Sequence, residues 1–263
     1  MLKVITANLN GIRSAARKGF FSWVSKQNAD IICFQELKAQ ADDLAKLDHS
    51  WQDNYYSAFH FAEKKGYSGV AIYSRYKPKK ITTGLGFATA DKEGRYVAID
   101  LDGLTVASLY MPSGTSGDIR QTIKFDFLTR YSDYLKSLQK HSQEWIICGD
   151  WNIAHRAIDL KNWRSNQKHS GFLPEERAWM DTLFDEMGFV DAFRVVNQEA
   201  DQYTWWSNRG RAREKNVGWR IDYQVVTPGL KPQIKTAEIY KAEFFSDHAP
   251  LIIQYSSALN HKF

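Results

Sequence analysis

Asp150 and Asn152 stand two residues apart at the end of an apolar run, Trp145-Ile146-Ile147-Cys148, that stops at Gly149. A continuous apolar run suits a strand covered on both faces, and sheet-based enzymes keep their reactive atoms at strand ends. On an extended backbone the two side chains share a face. One could accept a proton or touch a metal while the other donates to an oxyanion. The pattern recurs. Asn8 and Asn10 close the first apolar run, Glu36 follows Ile31-Ile32-Cys33-Phe34, Asp222 sits in a run that starts at Trp219, and Ser246-Asp247-His248 precedes the last run. Brought together, these segments would crowd three or four carboxylates around one histidine. Carboxylates that close repel unless a cation neutralises them or one takes a proton. Ligation by Glu and Asp, completed by Asn and water, suits a hard cation such as Mg2+, and buried cysteines with scattered histidines do not suggest zinc. Taken singly, each residue also fits a local role: Gly149-Asp150 as a strand-end turn, Glu36 as the start of a helix, Asp247-His248 as a turn pair. Five coincidences at strand ends favour a shared site.

The elements that would carry these residues follow from periodicity. Strands are expected over residues 2–10, 30–34, 55–62, 70–74, 95–100, 105–110, 144–152, 203–207, 219–227, 234–240 and 249–255. Asp102-Gly103 marks a hairpin turn between two of them. Helices are expected over residues 12–27, 41–47, 117–140 and 174–187. The third carries a stripe of Ile119, Ile123, Phe127, Tyr131, Leu135 and Leu138. The fourth opens with Pro174 and Glu175-Glu176 and closes at Gly188. Strand clusters with intervening helices, in two similar halves, predict an α/β fold of two packed sheets with helices outside.

The 263 residues show no linker-like stretch and fit one domain spanning 1–263. A net charge of +5 is compatible with a polyanionic partner but too small to require one. Cys33 and Cys148, each inside an apolar run, are expected as buried thiols, which favours a reducing compartment. No signal-peptide pattern or membrane span is visible, and a cytoplasmic protein is expected.

The chain resembles the exonuclease III family of apurinic/apyrimidinic endonucleases, within the endonuclease/exonuclease/phosphatase fold group. The resemblance rests on Asn8-Leu9-Asn10-Gly11, Gln35-Glu36-Leu37-Lys38, Gly66-Tyr67-Ser68-Gly69-Val70, Tyr110-Met111-Pro112, Gly149-Asp150-Trp151-Asn152, the stretch from Asn216 to Tyr223, and Ser246-Asp247-His248-Ala249-Pro250. It implies a four-layered α/β sandwich of mostly antiparallel sheets flanked by helices, with the site at one sheet edge. It implies Glu36 as the main metal ligand, Asn8 and Asp247 near the cation, and Asp150 and Asn152 beside it. Asp150 would deprotonate the attacking water, Asn152 would hold phosphate or water, and His248, oriented by Asp222, would bind the scissile phosphate near the Tyr110 hydroxyl. Some relatives carry an aspartate where this chain has Asn10.

The stretch 205–222 interleaves Trp205, Trp206, Trp219 and Ile221 with Arg209, Arg211, Arg213, Lys215 and Arg220. Such interleaving suits nucleic acid, and it equally suits tryptophans in a core beside a solvated basic loop. The resemblance implies that Trp205, Trp219 and Ile221 line a pocket for a flipped baseless sugar, and that Arg209, Trp206, Arg13, Lys18, Tyr67 and Arg95 contact DNA. The implied activity is Mg2+-dependent cleavage, with Mn2+ as a substitute, 5′ to abasic sites in duplex DNA, accompanied by 3′-5′ exonuclease and 3′-phosphodiesterase or phosphatase activity in a monomer. Two other classes remain open: a phosphoesterase of the fold group acting on lipid or inositol phosphates, and a non-catalytic DNA-binding module.

Overall fold

The computed structural model describes residues 1–47, 50–139 and 142–256. Within them the apolar runs form strands β1 (Leu2–Asn8), β2 (Ile31–Gln35), β3 (Tyr56–His60), β4 (Val70–Ser74), β5 (Lys80–Thr83), β6 (Tyr96–Asp100), β7 (Leu104–Tyr110), β8 (Glu144–Asp150), β9 (Val190–Asp191), β10 (Trp205–Trp206), β11 (Gly218–Trp219), β12 (Asp222–Val226), β13 (Ile234–Ile239) and β14 (Leu251–Tyr255). Two six-stranded sheets result, ordered β13-β14-β1-β2-β4-β3 and β5-β6-β7-β8-β12-β9. Each contains one parallel pair, β1 with β2 and β7 with β8, and is otherwise antiparallel. Read outward from β13 and from β9, the two sheets follow the same sequence of pairings, which is the expected pair of similar halves.

The sheets pack face to face over Val4, Ile31, Cys33, Ile72, Val106, Ile146, Cys148 and Ile253. On one outer face Ile5, Ile32 and Phe34 meet Phe20 and Trp23; on the other Ala107, Leu109 and Ile147 meet Phe127, Tyr131 and Leu135. This is the expected four-layered α/β sandwich. Cys33 and Cys148 are buried free thiols. Polar side chains cross the layer between the sheets at both ends. Gln35 Nε2 donates to Ser108 Oγ at 2.9 Å, Gln224 Nε2 to the Val4 carbonyl at 3.0 Å, and the Tyr255 hydroxyl to Gln224 Oε1 at 2.9 Å. A buried bond of this kind is costly to leave unmade, so these bonds fix how the sheets slide over each other and hence where their strand ends meet.

Several boundaries differ from expectation for local reasons. The helix expected over 12–27 is two, Ile12–Arg17 and Phe20–Ser25, because Gly19 between them takes a left-handed φ of 85°. The long helix runs Asp118–Leu138. Its stripe is buried from Lys124 onward, but Ile119 is 80% exposed in the first turn, and Lys140 lies outside the described residues. The helix over 174–187 ends in a π-helical turn, Thr182–Glu186, before Gly188. The strand expected over 219–227 breaks at Arg220, whose guanidinium turns inward to Asp159 (2.8 Å) and Asp191 (2.7 Å) and is only 1% exposed. Arg220 is therefore a buried structural cation and not part of a basic surface. No helix among the described residues is long and apolar enough to cross a membrane.

Candidate active site

All the strand-end residues singled out above gather at one edge of the paired sheets. Register places Asn8 beside Gln35, and Asp150 between Tyr110 and Asp222. β1 and β8 end alike. Asn8 Oδ1 accepts the Asn10 backbone N–H at 2.9 Å, and Asp150 Oδ1 accepts that of Asn152 at 2.9 Å. These are Asx turns, and they put Asn10 (φ 44°) and Asn152 (φ 51°) in the left-handed region that Asn tolerates. Asp150 and Asn152 thus converge through a turn and not along the extended backbone the spacing predicted. Gly149 has a separate reason: a Cβ there would come within 2.0 Å of the Leu109 carbonyl oxygen of β7. Glu36 also has positive φ, 51°, without the conformational freedom of a glycine. Strain of about 1–3 kcal/mol persists only when neighbours over-determine it. Here the Glu36 carbonyl accepts from Gly11 N at 2.8 Å, and Leu37 N and Lys38 N donate to the Gly69 and Ser68 carbonyls.

The charged centre is compact. Ligand atoms of Glu36, Asp150 and His248 all lie within 4.8 Å of one another. His248 Nδ1 is 2.9 Å from Asp222 Oδ2, and its Nε2 is 3.9 Å from Asp150 Oδ2. Burial alone would push the imidazole down, but Asp222, then Asp150 and Asp247, hold it up at about 10. Burial, then Asp222 and Glu36, push the Asp150 carboxyl up to about 8 against the pull of His248. Burial works against Glu36 too, yet Lys38 and Asn8 keep it below the ordinary carboxylate range. The Tyr110 hydroxyl donates to Glu36 and is pushed well above its ordinary value by burial and then by that carboxylate.

Crowding that forces a proton onto Asp150 is what a divalent cation would relieve, so the residues fit one. Glu36 and Asp150 would hold it. The Asn8 amide oxygen accepts the Asn10 N–H, and its nitrogen donates to both Glu36 Oε1 and Asp150 Oδ2 at 2.9 Å. Asn8 is thus placed to orient the two carboxylates. Asp247 faces the same hollow, with Oδ1 accepting from Asn10 Nδ2 (2.8 Å) and Oδ2 from Trp205 Nε1 (3.1 Å), and is held below its ordinary range against burial by His248 and these donors. Asn152 Nδ2 donates to the Met111 carbonyl at 2.8 Å. Lys38, part of the Gln35-Glu36-Leu37-Lys38 motif but with no role expected for it, sits 2.8 Å from Glu36 Oε2. Its only sequence signal was a cation two residues past the candidate ligand.

A cavity of about 720 Å³ opens over this centre, with Trp205, Trp219 and Ile221 as an apolar wall. The two indoles meet edge to face, 6.4 Å apart at 82°, and Trp205 is bridged to His248 through the backbone. Arg209 and Lys215 line the mouth, with Ser113, Asn166, His169 and Ser170 added to the expected set. Two expected DNA contacts are corrected. Trp206 is 2% exposed: β10 pairs with β11, and consecutive strand residues face opposite ways, so Trp205 takes the cavity and Trp206 the core, where its Nε1 meets Asn216. Arg95 is 1% exposed, paired with Glu93 at 2.6 Å, its guanidinium over the Tyr110 ring and its Nη2 on the Tyr67 hydroxyl. It braces Tyr110 and Tyr67 from beneath. Arg13 and Lys18 are exposed, the first paired with Asp43 and the second over the Phe244 ring.

The geometry can be set beside known proteins. The chain is 39% identical over 252 residues to an exodeoxyribonuclease of Bacillus subtilis, covering 95% of this chain and 98% of that one. It is 34% identical to the DNA repair nuclease APEX1 of Danio rerio over 96% of this chain and 81% of the relative. Among solved structures, an AP endonuclease from Archaeoglobus fulgidus superposes with a TM-score of 0.87 at 28% identity, covering 98% of this chain and 100% of that one. A model of the endonuclease/exonuclease/phosphatase family matches residues 5–248, a span that holds every residue of the centre. The chain belongs to the endonuclease/exonuclease/phosphatase family.

Proposed function

We propose that the protein is a Mg2+-dependent DNA-repair nuclease that hydrolyses the phosphodiester 5′ to abasic sites in duplex DNA and removes nucleotides or blocking groups from 3′ ends at the same centre. The observation that carries this reading is the Glu36, Asp150 and His248 cluster set directly beneath an apolar wall of Trp205, Trp219 and Ile221. Such a wall suits a sugar that lacks its base. The relatives named as exodeoxyribonuclease and DNA repair nuclease support it.

Glu36 and Asp150 would hold the cation, which would supply positive charge to offset the negative charge that builds up during phosphodiester hydrolysis. The chain's own groups do the rest. His248, protonated and held by Asp222, donates to a phosphate oxygen as charge builds there. Asp150, once ionised, takes the proton of the attacking water. Asn152 and Tyr110 hold the phosphate, and Asn8 keeps the two carboxylates in register. Mn2+, also an oxygen-seeking cation, can substitute. We place this activity in a cytoplasmic monomer, where Cys33 and Cys148 stay as thiols.

The test is a duplex carrying one stable abasic analogue, incubated with Mg2+, with Mn2+ and with chelator. A single nick 5′ to the lesion, seen only with metal, is expected. Cleavage of inositol phosphates without any nick would replace this reading with the phosphoesterase one. Arg13, Lys18 and Arg209 give a second measurement. If each meets a phosphate, the affinity for duplex falls with salt, each contact contributing about −0.9 to the logarithmic slope, and Arg209→Ala should lower the slope by about one contact. A slope near zero in the wild type would remove the proposed DNA surface.

A further inference from the structure

Beneath the cavity lies a buried ion pair that the mechanism does not use. Lys124, on the Asp118–Leu138 helix, and Glu176, on the Pro174–Asp181 helix, are both 0% exposed, with Nζ and Oε1 2.6 Å apart. Replacing such a pair by apolar side chains is often neutral or better for stability, so what the two ends reach is the more telling fact. Lys124 Nζ also donates to the carbonyl of Asn152 at 2.8 Å. That carbonyl belongs to the left-handed residue that closes the Asp150 turn. Glu176 Oε2 accepts the backbone N–H groups of Gly171 (2.6 Å) and Leu173 (3.0 Å), and Gln121 Nε2 donates to Oε1 at 3.1 Å. Gly171 in turn is pressed between the site and its wall. A Cβ there would stand 3.1 Å from the Asn152 carbonyl oxygen and 3.2 Å from the Trp219 ring, and the Gly171 carbonyl accepts from Ala154 N at 2.8 Å.

We propose that Lys124 and Glu176 are positioning residues, a buried strut that fixes the distance between the reacting turn at Asp150–Asn152 and the pocket wall at Gly171 and Trp219. One end sets the turn and the other sets the wall, so the pair is worth more to turnover than to stability. This rests on the nuclease reading of the site.

The test is the double variant Lys124→Met/Glu176→Leu, which leaves no unpaired buried charge, with Glu176→Gln as a second variant that keeps the side-chain volume should the double one not fold. In the folded variant the expected result is a fall in kcat on the abasic duplex of about 10²-fold, the scale of a misplacement near 1 Å, with KM changed far less. Amide hydrogen exchange at Ala154, Gly171 and Leu173 should quicken at least about tenfold, while exchange in β1 and β2 stays as in the wild type. A folded variant with wild-type kcat and wild-type exchange at these amides overturns the proposal. So does a lowered melting temperature with unchanged kcat per folded molecule. The exchange measurement needs no substrate, so if the wild type cuts neither abasic duplex nor 3′ ends, the nuclease reading falls while the strut is still judged.

Discussion

Asp150→Asn lowers turnover on an abasic duplex by about 10⁴-fold, the upper range for loss of a general base, and leaves duplex affinity within a few fold. The expectation follows from where Asp150 stands. Its two oxygens accept from Asn152 N, Asn8 Nδ2 and, at 3.3 Å, Asn152 Nδ2. The amide has the same shape and its oxygen keeps the Asn152 N–H of the turn, while its NH2 gives up the bond that Oδ2 accepts from Asn8, so the cavity and its mouth stay intact. What is lost is the group that takes the proton from water, together with one of the two carboxylates that would hold the cation. The cost to folding should be small, because burial, Asp222 and Glu36 already push this carboxyl up to about 8 and keep it uncharged near neutral pH. The sign of the pH dependence is a second check. A carboxyl whose folded value lies above its ordinary 3.8 contributes stability that is full at lower pH and is lost as pH rises toward about 8. The metal-free wild type should therefore lose stability across that window through this group, and Asp150→Asn should not. Single-turnover cleavage, duplex binding in Ca2+ and melting temperature against pH measure the three parts. A single-turnover rate near that of the wild type in Mg2+ would end the assignment of Asp150 as base.

The ends of the apolar runs were legible because a run that is buried on both faces must stop where polar groups begin, and the site is built from those stops. Strand clusters with intervening helices likewise suggested two halves, and the parallel pairs β1-β2 and β8-β7 take corresponding places in the two sheets. What could not be read depends on contacts distant in sequence. Trp205 and Trp206 are adjacent, and a two-residue strand has too short a pattern to say which one faces inward; only pairing with β11 decides it. Arg220 looks like surface charge until Asp159 and Asp191 arrive from elsewhere, and Arg95 until Tyr67 and Tyr110 do. Lys124 lies three residues before Phe127 on the same helix face, yet a lysine there hides its core position until Glu176 is seen. β5 is exposed along its whole length and has no alternation to find. The orientation of Asn8 is of the same kind: the residue type says ligand or donor, and only Glu36 and Asp150, brought from other strands, show its amide nitrogen donating to both.

Glu36→Gln raises the Mg2+ concentration needed for half-maximal cleavage by about 10²-fold, at least the loss seen when groups around a metal site are removed. Glu36 is the one carboxylate of the Glu36, Asp150 and His248 cluster kept charged in the metal-free protein, by Lys38 at 2.8 Å and by Asn8, so it offers the first point of attachment. Asp150 can join it only by giving up a proton. Mg2+ binding near pH 7 should then release up to about one proton, and affinity should weaken as pH falls below about 8 and level off above it. The variant changes this linkage in a definite direction. With a neutral amide in place of the Glu36 carboxylate, one source of repulsion on Asp150 is gone, its carboxyl comes down, and fewer protons leave on binding at the same pH. Calorimetric titration of Mg2+ in two buffers of different ionisation enthalpy reads the proton count directly, without DNA. Equal release by wild type and Glu36→Gln, with an unchanged Mg2+ requirement for cleavage, would place the cation away from Glu36 and remove the reason for its strained backbone.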